Sequence, residues 1–172
     1  MPSSAPPSAP QRLSYRAIGP ADRRALADLF ERLSDRSRRL RFMGPKASLS
    51  ERDLTYFTEV DHRRHEAIVA VEPGGRLAGV ARYASVPGQD ERVANVAFAV
   101  ADGWQGSGVG TELGRRVVEH ARGSGIERLR GTTLATNAPA RRLLRRLGFT
   151  PLGASIAGIE FELSLAAVSR AA

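Results

Sequence analysis

The stretch Gln105-Gly106-Ser107-Gly108-Val109-Gly110 is a glycine-rich loop between a predicted strand and a predicted helix. The strand is the apolar run Arg92–Val100, and the helix extends to about Arg122. Apolar residues recur along that helix at helical spacing, at Val109, Leu113, Val117 and Ala121. Glycines let a backbone approach a ligand closely, and a helix N-terminus offers unpaired N–H groups and a positive dipole end. The pattern therefore predicts a pyrophosphate site.

Two other glycine-rich loops do not fit this spacing. A P-loop needs a Lys after its last glycine, and this loop contains no Lys. A dinucleotide-binding loop, GxGxxG, would need a glycine at Thr111 or Leu113. A plain tight turn without a ligand remains the alternative at this point.

Hydrophobic periodicity outward from the loop predicts an α/β chain. Strands are expected at Leu13–Ile18, Glu66–Val71, Arg76–Val86, Arg92–Val100, Arg128–Leu134, Thr150–Ser155 and Gly158–Leu165. Early helices are expected after Gly19-Pro20-Ala21-Asp22, over Ser34–Phe42, and from Ser50 to about Val60. A last helix is expected after Asn137 as its N-cap. The order β-ααα-βββ-α-β-α-ββ predicts a central mixed sheet with helices on both faces.

The length of 172 residues suits one domain. We expect a flexible tail rich in Pro, Ser and Ala over residues 1–12, the domain over 13–166, and a C-terminal tail over 167–172. We expect no secretory leader, because residues 1–10 lack both a basic start and an apolar core, and the sequence has no run of about 18 apolar residues that could span a membrane. We therefore expect a cytoplasmic protein. The two closing strands could pair between copies, which would give a homodimer.

The net charge is +8, and Lys46 is the single lysine among 26 basic residues. Solvated helix faces would explain this excess, and attraction to a polyanionic ligand is the alternative. We expect no nucleic acid partner, because aromatic residues make up only 6% and no recognition motif is present. We also expect no metal, since the chain has no cysteine and its histidines, His62, His65 and His120, lack metal-ligand spacing.

The loop and the later residues Asn137-x-x-Ala140-x-x-Leu143 and Gly148-Phe149 together resemble the GNAT superfamily of N-acetyltransferases. The resemblance covers roughly Leu13 to Leu165 and implies the GNAT acyl-CoA N-acyltransferase fold. It also implies acetyl-CoA, or another short acyl-CoA, as the acyl donor and a primary amine as the acceptor.

The resemblance also implies cofactor-binding residues. In the family, the strand before the loop splays from its neighbour and pairs with the pantetheine arm, which here implies contacts from Phe98, Ala99 and Val100. The pyrophosphate would lie over Gln105, Gly106, Ser107, Gly108, Val109, Gly110 and Thr111. Asn137 would contact the pantetheine arm or only cap its helix, and Arg141 or Arg142 could meet the 3′-phosphate.

Leu33–Pro45, LSDRSRRLRFMGP, is similar to a segment of bacterial Pat-type protein lysine acetyltransferases. Three further segments also fit that subgroup: Phe57–Asp61, Gly79–Tyr83 and Ala101–Gln105. A Glu on the strand before the loop is the general base of that subgroup, and the matching position here is Asn95. Asn cannot accept a proton at neutral pH. The general-acid Tyr that is frequent in the superfamily falls at Leu144.

Two functions therefore stay open. An N-acetyltransferase needs a neutral amine, whereas a lysine amine has a pKa near ~10.4. Another carboxylate, such as Glu66 or Glu160 on other strands, could act as the base, or the acceptor could have a lower pKa. Glu91 shares strand parity with Asn95 but would lie about 13 Å away along the strand, too far for a simple replacement. Direct transfer to a primary amine, such as a protein lysine, is the first function, and an acyl-CoA sensor without activity is the second. The early arginines, Arg36, Arg38, Arg39 and Arg41, would line the acceptor cleft or face solvent.

Overall fold

The computed structural model describes residues 12–166, so the predicted tails lie outside it apart from Arg12. Its strands are β1 (Ser14–Ala17), β2 (His65–Val71), β3 (Leu77–Ser85), β4 (Val93–Val100), β5 (Arg128–Thr133), β6 (Thr150–Ser155) and β7 (Gly158–Ser164). Its α-helices are α1 (Arg23–Arg32), α2 (Asp35–Phe42), α3 (Glu51–Thr58), α4 (Val109–Gly123) and α5 (Ala138–Arg146). The predicted order of elements is confirmed.

The strands form one mixed sheet in the order β1-β2-β3-β4-β5-β7-β6. β4 and β5 are parallel, and all the other neighbouring strands are antiparallel. β4 pairs with β3 over Ala94–Val100, but with β5 only over Val93–Asn95. Beyond Asn95 the two parallel strands diverge, so a gap opens in the middle of the sheet.

The central strands of the sheet are covered on both faces, as their apolar sequences require. Along β2, Ile68 and Ala70 pack with α4 and α5 on one face. Ala67, Val69 and Val71 pack with α1 and α3 on the other face. The predicted α/β class, a mixed sheet with helices on both faces, is therefore confirmed.

The helices that flank the gap begin and pack for identifiable reasons. The Ser34 hydroxyl caps α2 by accepting from the Ser37 N–H at 3.2 Å. Asn137 caps α5, because its Oδ1 accepts from the Ala140 N–H at 3.2 Å. α4 and α5 approach closely at Gly114, where a Cβ would lie only 2.3 Å from a Leu147 methyl carbon. Within residues 12–166, no helix is long and apolar enough to cross a bilayer.

Candidate active site

A cleft of about 620 Å³ occupies the gap between β4 and β5. Its walls come from Asn95–Val100 of β4, Gly131–Thr133 of β5, the glycine-rich loop, α2 and α5. The cleft thus joins parts of the chain that are distant in sequence, and the divergence of the two parallel strands creates it.

The backbone of β4 offers hydrogen-bonding groups to this cleft. One edge of the strand pairs with β3, but after Asn95 the other edge has no strand partner. Unpaired backbone groups require some other partner, and an extended ligand with amide groups can supply one by adding to the strand edge. The Thr133 hydroxyl, across the gap on β5, is also buried without a hydrogen-bond partner in the described part of the chain.

The glycine-rich loop turns sharply into α4. Gly106 has φ of 76° and Gly108 has φ of 92°, the left-handed region that favours glycine. Gly108, Gly110 and Thr111 line the cleft, so the N-terminus of α4 opens towards it. The Gln105 side chain braces the turn, because its Nε2 donates to the Val100 carbonyl oxygen and to Asp102 Oδ1, each at 3.1 Å.

The same loop is hydrogen-bonded to α2. Asp102 accepts from the Ser37 hydroxyl at 2.7 Å and from the Ser34 N–H at 3.3 Å. Burial raises the pKa of Asp102, but these hydrogen bonds outweigh that effect, so its pKa lies below the usual value. Gln105 Nε2 also donates to the Ser37 hydroxyl at 3.2 Å. Two of the sequence segments that share the Pat-type pattern are therefore in direct contact.

The charged groups that line the cleft are all positive. Arg142 and Arg146 contribute from α5 and Arg41 from α2, and no Asp, Glu, His or Tyr is present among the described lining residues. Sequence reasoning missed Arg146, although its spacing of four from Arg142 puts both on one helix face. Such a surface suits a polyanionic ligand.

Most of the sequence-predicted site residues line this cleft: Asn95, Phe98, Ala99, Val100, Gln105, Gly106, Gly108, Gly110, Thr111, Asn137 and Arg142. Three lie outside the lining. Val109 is buried in the core beside α5, and the Ser107 hydroxyl donates to the Trp104 carbonyl oxygen at 2.5 Å. Arg141 turns its Nε into a buried position without a hydrogen-bond partner.

Neither of the two candidate replacement carboxylates, Glu66 and Glu160, lies in the cleft lining, and Glu91 does not either. Glu91 forms an ion pair with Arg64, and Glu160 is exposed on β7. Glu66 is buried, with only 1% of its surface exposed, and it lies 2.9 Å from His62 Nδ1 and 3.3 Å from His120 Nε2. The sequence did not indicate this cluster, because its members come from a loop, a strand and the end of α4.

The four early arginines divide between solvent and the cleft. Arg36 and Arg39 are exposed, and Arg38 lies 4.9 Å over the Phe30 ring. Arg41 is half-buried and lines the cleft. The cleft lining therefore carries one of these four charges.

A protein-family model described as the Acetyltransferase (GNAT) family matches residues 27–149 of this chain. The chain belongs to the GNAT acetyltransferase family. Members of this family use acetyl-CoA as the acyl donor, and the cleft with its unpaired strand edge fits such a ligand.

Two curated GNAT relatives are similar in sequence. Acetyltransferase PA5475 of Pseudomonas aeruginosa is 31% identical over 137 residues, which cover 78% of this chain and 73% of that protein. Acetyltransferase Pat of Mycolicibacterium smegmatis is 33% identical over 96 residues, which cover 55% of this chain but only 28% of Pat. The predicted closeness to Pat-type GNAT domains is thereby confirmed.

Two solved structures have a similar fold. The GNAT domain of S. lividans PAT superposes with a TM-score of 0.81 at 27% identity, covering 88% of this chain and 90% of that domain. The structure of yncA from Salmonella typhimurium, solved with its cofactor acetyl-CoA, has a TM-score of 0.70 at 19% identity and covers 91% and 96% of the two chains. The latter likeness shows the common fold.

Proposed function

We propose that this GNAT protein transfers an acetyl group from acetyl-CoA, or another short acyl group from its CoA thioester, directly to a primary amine. The observation that carries the proposal is the gap between β4 and β5, whose unpaired strand edge leads to the N-terminus of α4. The cofactor contributes an acyl group that is already activated as a thioester.

Different residues of the cleft would bind different parts of that cofactor. The backbone of Phe98, Ala99 and Val100 would pair with the pantetheine amides, as an added strand does. The turn from Gln105 to Thr111 would hold the pyrophosphate at the positive end of the α4 dipole. Arg142, with Arg146 one turn later, would meet the 3′-phosphate.

The chain's own contribution to the chemistry is positioning more than proton transfer. The described lining contains no carboxylate or histidine to act as a base, so the amine must lose its proton before it attacks. Backbone N–H groups of β4 can polarise the thioester carbonyl, and correct placement of two reactants lowers the barrier substantially. With no cysteine in the chain, a thioester intermediate on the protein is excluded.

Thiol release tests the proposal directly. The purified protein would be mixed with acetyl-CoA and a pool of primary amines that includes a lysine-rich protein, since a relative of this chain is a Pat acetyltransferase. Because the chain has no cysteine, its side chains add no thiol signal. Release that depends on an amine supports the transferase, and an acceptor-free sample controls for hydrolysis.

An acyl-CoA sensor without activity is the second candidate, and the absence of a proton acceptor from the described cleft lining favours it. A sensor predicts that calorimetry detects acetyl-CoA binding while no amine, at any pH up to about 9, causes thiol release. Amine-dependent release would exclude this second function. A protein that does not bind acetyl-CoA at all would contradict both functions.

A further inference from the structure

A second, smaller cavity of about 30 Å³ adjoins the cleft on the side of α1, α2 and α3. Leu33, Arg41 and Ala99 line both spaces, which places the small cavity at the inner wall of the cleft. Arg41 and Arg82 are its only charged residues among those described, and the rest of its lining is apolar. The volume suits one or two waters, or the head of a carboxylate.

Arg82 is buried without a counterion. Only 5% of its surface is exposed. Its guanidinium donates to the Phe57 carbonyl oxygen at 3.3 Å, contacts His65 Nε2 at 3.2 Å, and lies 4.3 Å over the Phe57 ring. Within residues 12–166, no Asp or Glu is among the groups that shift the pKa of Arg82. A buried charge without an ionic partner is costly, so this arginine requires a separate explanation.

His65 holds Arg82 in place. A guanidinium has no acceptor, so His65 Nε2 must accept from Arg82, which requires a neutral ring. Burial, and then the Arg82 charge, lower the pKa of His65 to about 4, consistent with that neutral form. Arg82 is therefore fixed by a neutral neighbour that leaves its charge uncompensated.

Arg41 brings a second uncompensated charge to the same cavity. Its guanidinium lies 4.7 Å over the Phe42 ring, and within the described range no Asp or Glu is among the groups that shift its pKa. Burial, and then the nearby charge of Arg41, lower the pKa of Arg82 to about 9. Both groups still remain cationic at neutral pH, because arginine does not deprotonate in proteins. Two like charges around one small cavity point to an anion between them.

The small cavity lies next to the part of β4 where acyl transfer is proposed. Arg82 on β3 stands directly opposite Ala97 on β4, and Asn95 is its diagonal neighbour. Diagonal neighbours on one face of a sheet are about 7–8 Å apart. Asn95 is also the point at which β4 leaves β5. An anion held by Arg82 would thus lie on the same face of the sheet as Asn95, beside the strand separation.

We propose that the acceptor is a small amine that itself carries a carboxylate, such as an amino acid, and that Arg41 and Arg82 bind this carboxylate. This inference rests on the proposed acetyltransferase function and narrows its acceptor class. Guanidinium groups bind carboxylates through short, charge-assisted hydrogen bonds. The apolar remainder of the small cavity strengthens such bonds because it excludes water.

The charges of Arg41 and Arg82 can also compensate for the absence of a general base from the described cleft lining. Positive charges close to an ammonium group disfavour its protonated form, as they do for catalytic lysines beside other cations. The ammonium releases one proton to solvent, and the neutral nitrogen then forms the C–N bond at the acyl carbon. The C–S bond breaks, its electron pair stays on sulfur, and the second nitrogen proton passes to the thiolate. One amide, one thiol and one released proton balance the step.

Matched acceptor pairs provide the test. Leucine and leucinamide, and alanine and alaninamide, differ only in whether the amine carries a carboxylate. The amide of each pair has the less basic amine, so its neutral form is more abundant, and any bias from amine pKa acts against the proposal. We expect kcat/KM to favour the carboxylates by about tenfold or more, as two charge-assisted contacts allow. Equal or faster reaction of the amides would overturn the proposal.

Variants then assign the effect to the two arginines. Arg41→Gln and Arg82→Gln should bring each acid and amide pair to within about threefold of one another, through a loss confined to the acids. Arg39→Gln is the matched control, since Arg39 is exposed on the same helix as Arg41. Acetyl-CoA affinity, measured in every variant, verifies folding. A preference for acids that survives in both Arg41→Gln and Arg82→Gln would contradict the assignment.

A binding measurement separates this inference from the proposed function. If no amine is turned over, N-acetylleucine and N-acetylleucinamide can be titrated into the protein with CoA present. Tighter binding of the carboxylate in the natural protein, lost in Arg41→Gln, supports the anion site even if the protein is a sensor. Indistinguishable binding of the two compounds would overturn the anion site.

Discussion

The two halves of the cleft are built in different ways. The cofactor half consists mainly of backbone groups: an unpaired strand edge, two glycines in the left-handed region, and the start of a helix. The proposed acceptor half consists of side chains: Arg41 from α2, Arg82 from β3 and their apolar neighbours from α1 and α3. A site made of backbone depends on where the chain turns, whereas a site made of side chains can change its ligand with single substitutions.

The largest effect should come from the loop. Gly108→Val places a β-branched residue at φ of 92° and puts a side chain where a ligand would approach. We expect acetyl-CoA to bind about 100-fold more weakly by calorimetry. Gly88→Val is the control, because Gly88 has φ of 80° in a turn that does not line the cleft. Equal loss of affinity in both variants would mean that backbone strain, and not a blocked ligand site, causes the loss. That result would contradict the contrast between the two halves of the cleft.

Asn95→Glu should change the turnover of lysine peptides and of carboxylate-bearing acceptors by different factors. It restores a carboxylate at the position of the family base, so turnover of lysine peptides near pH 7 should rise by about tenfold. Turnover of carboxylate-bearing acceptors should rise less, because the new charge is diagonal to Arg82 and competes for it. Asn95→Gln, which cannot accept a proton, should change neither rate. Unchanged lysine turnover, with cofactor binding preserved, would show that this position is not the vacant base.

Arg142→Ala should have a smaller effect confined to the cofactor. Loss of one exposed phosphate contact should weaken acetyl-CoA binding by about fivefold at low salt and less at high salt. Arg145→Ala, on an exposed part of the same helix, is the control. With 3′-dephospho-CoA the two variants should bind equally well. A fivefold loss that persists with this ligand would place Arg142 at the pyrophosphate instead.

The smallest effect is a pH dependence in the acceptor half. The pKa of His65 is lowered to about 4 in the folded protein, against about 6.5 when unfolded. The unfolded chain therefore binds the extra proton at a higher pH than the folded protein does. The stability that neutral His65 gives the folded protein is lost as pH falls from about 6.5 to 4. We expect this to lower the free energy of unfolding by less than about 1 kcal/mol, since the ring is partly exposed. The free energy of unfolding, measured by urea titration at several pH values across this range, should change with pH at different slopes in the natural protein and in His65→Gln.

Sequence could predict the cofactor half because its signals are local. Gly106 and Gly108 stand between a strand and a helix, and Asn137 carries its own capping signal, so each of them indicates its structure within a few residues. The order of the elements followed from periodicity in the same way. Such signals depend on backbone geometry, which nearby residues determine.

The acceptor half could not be predicted because its members meet only in three dimensions. Nothing within the sequence around Arg82 shows that α2 brings Arg41 to the same cavity, or that His65 supports it. Arg41 also stands among three other arginines whose directions depend on how α2 lies against the sheet. Burial without a counterion becomes visible only when every neighbour is known.

The hydrogen bonds that Ser37 donates to Asp102 and accepts from Gln105 have a thermodynamic consequence. Ser37 and Arg41 lie on the same face of α2, four residues apart, so the loop that would hold the pyrophosphate and the arginine that would hold the acceptor share one short helix. A ligand that orders the loop should therefore also order α2, and a ligand that orders α2 should order the loop. By linkage, the cofactor should then tighten acceptor binding by the same factor by which the acceptor tightens cofactor binding. Affinities measured for each ligand with and without the other would reveal that common factor.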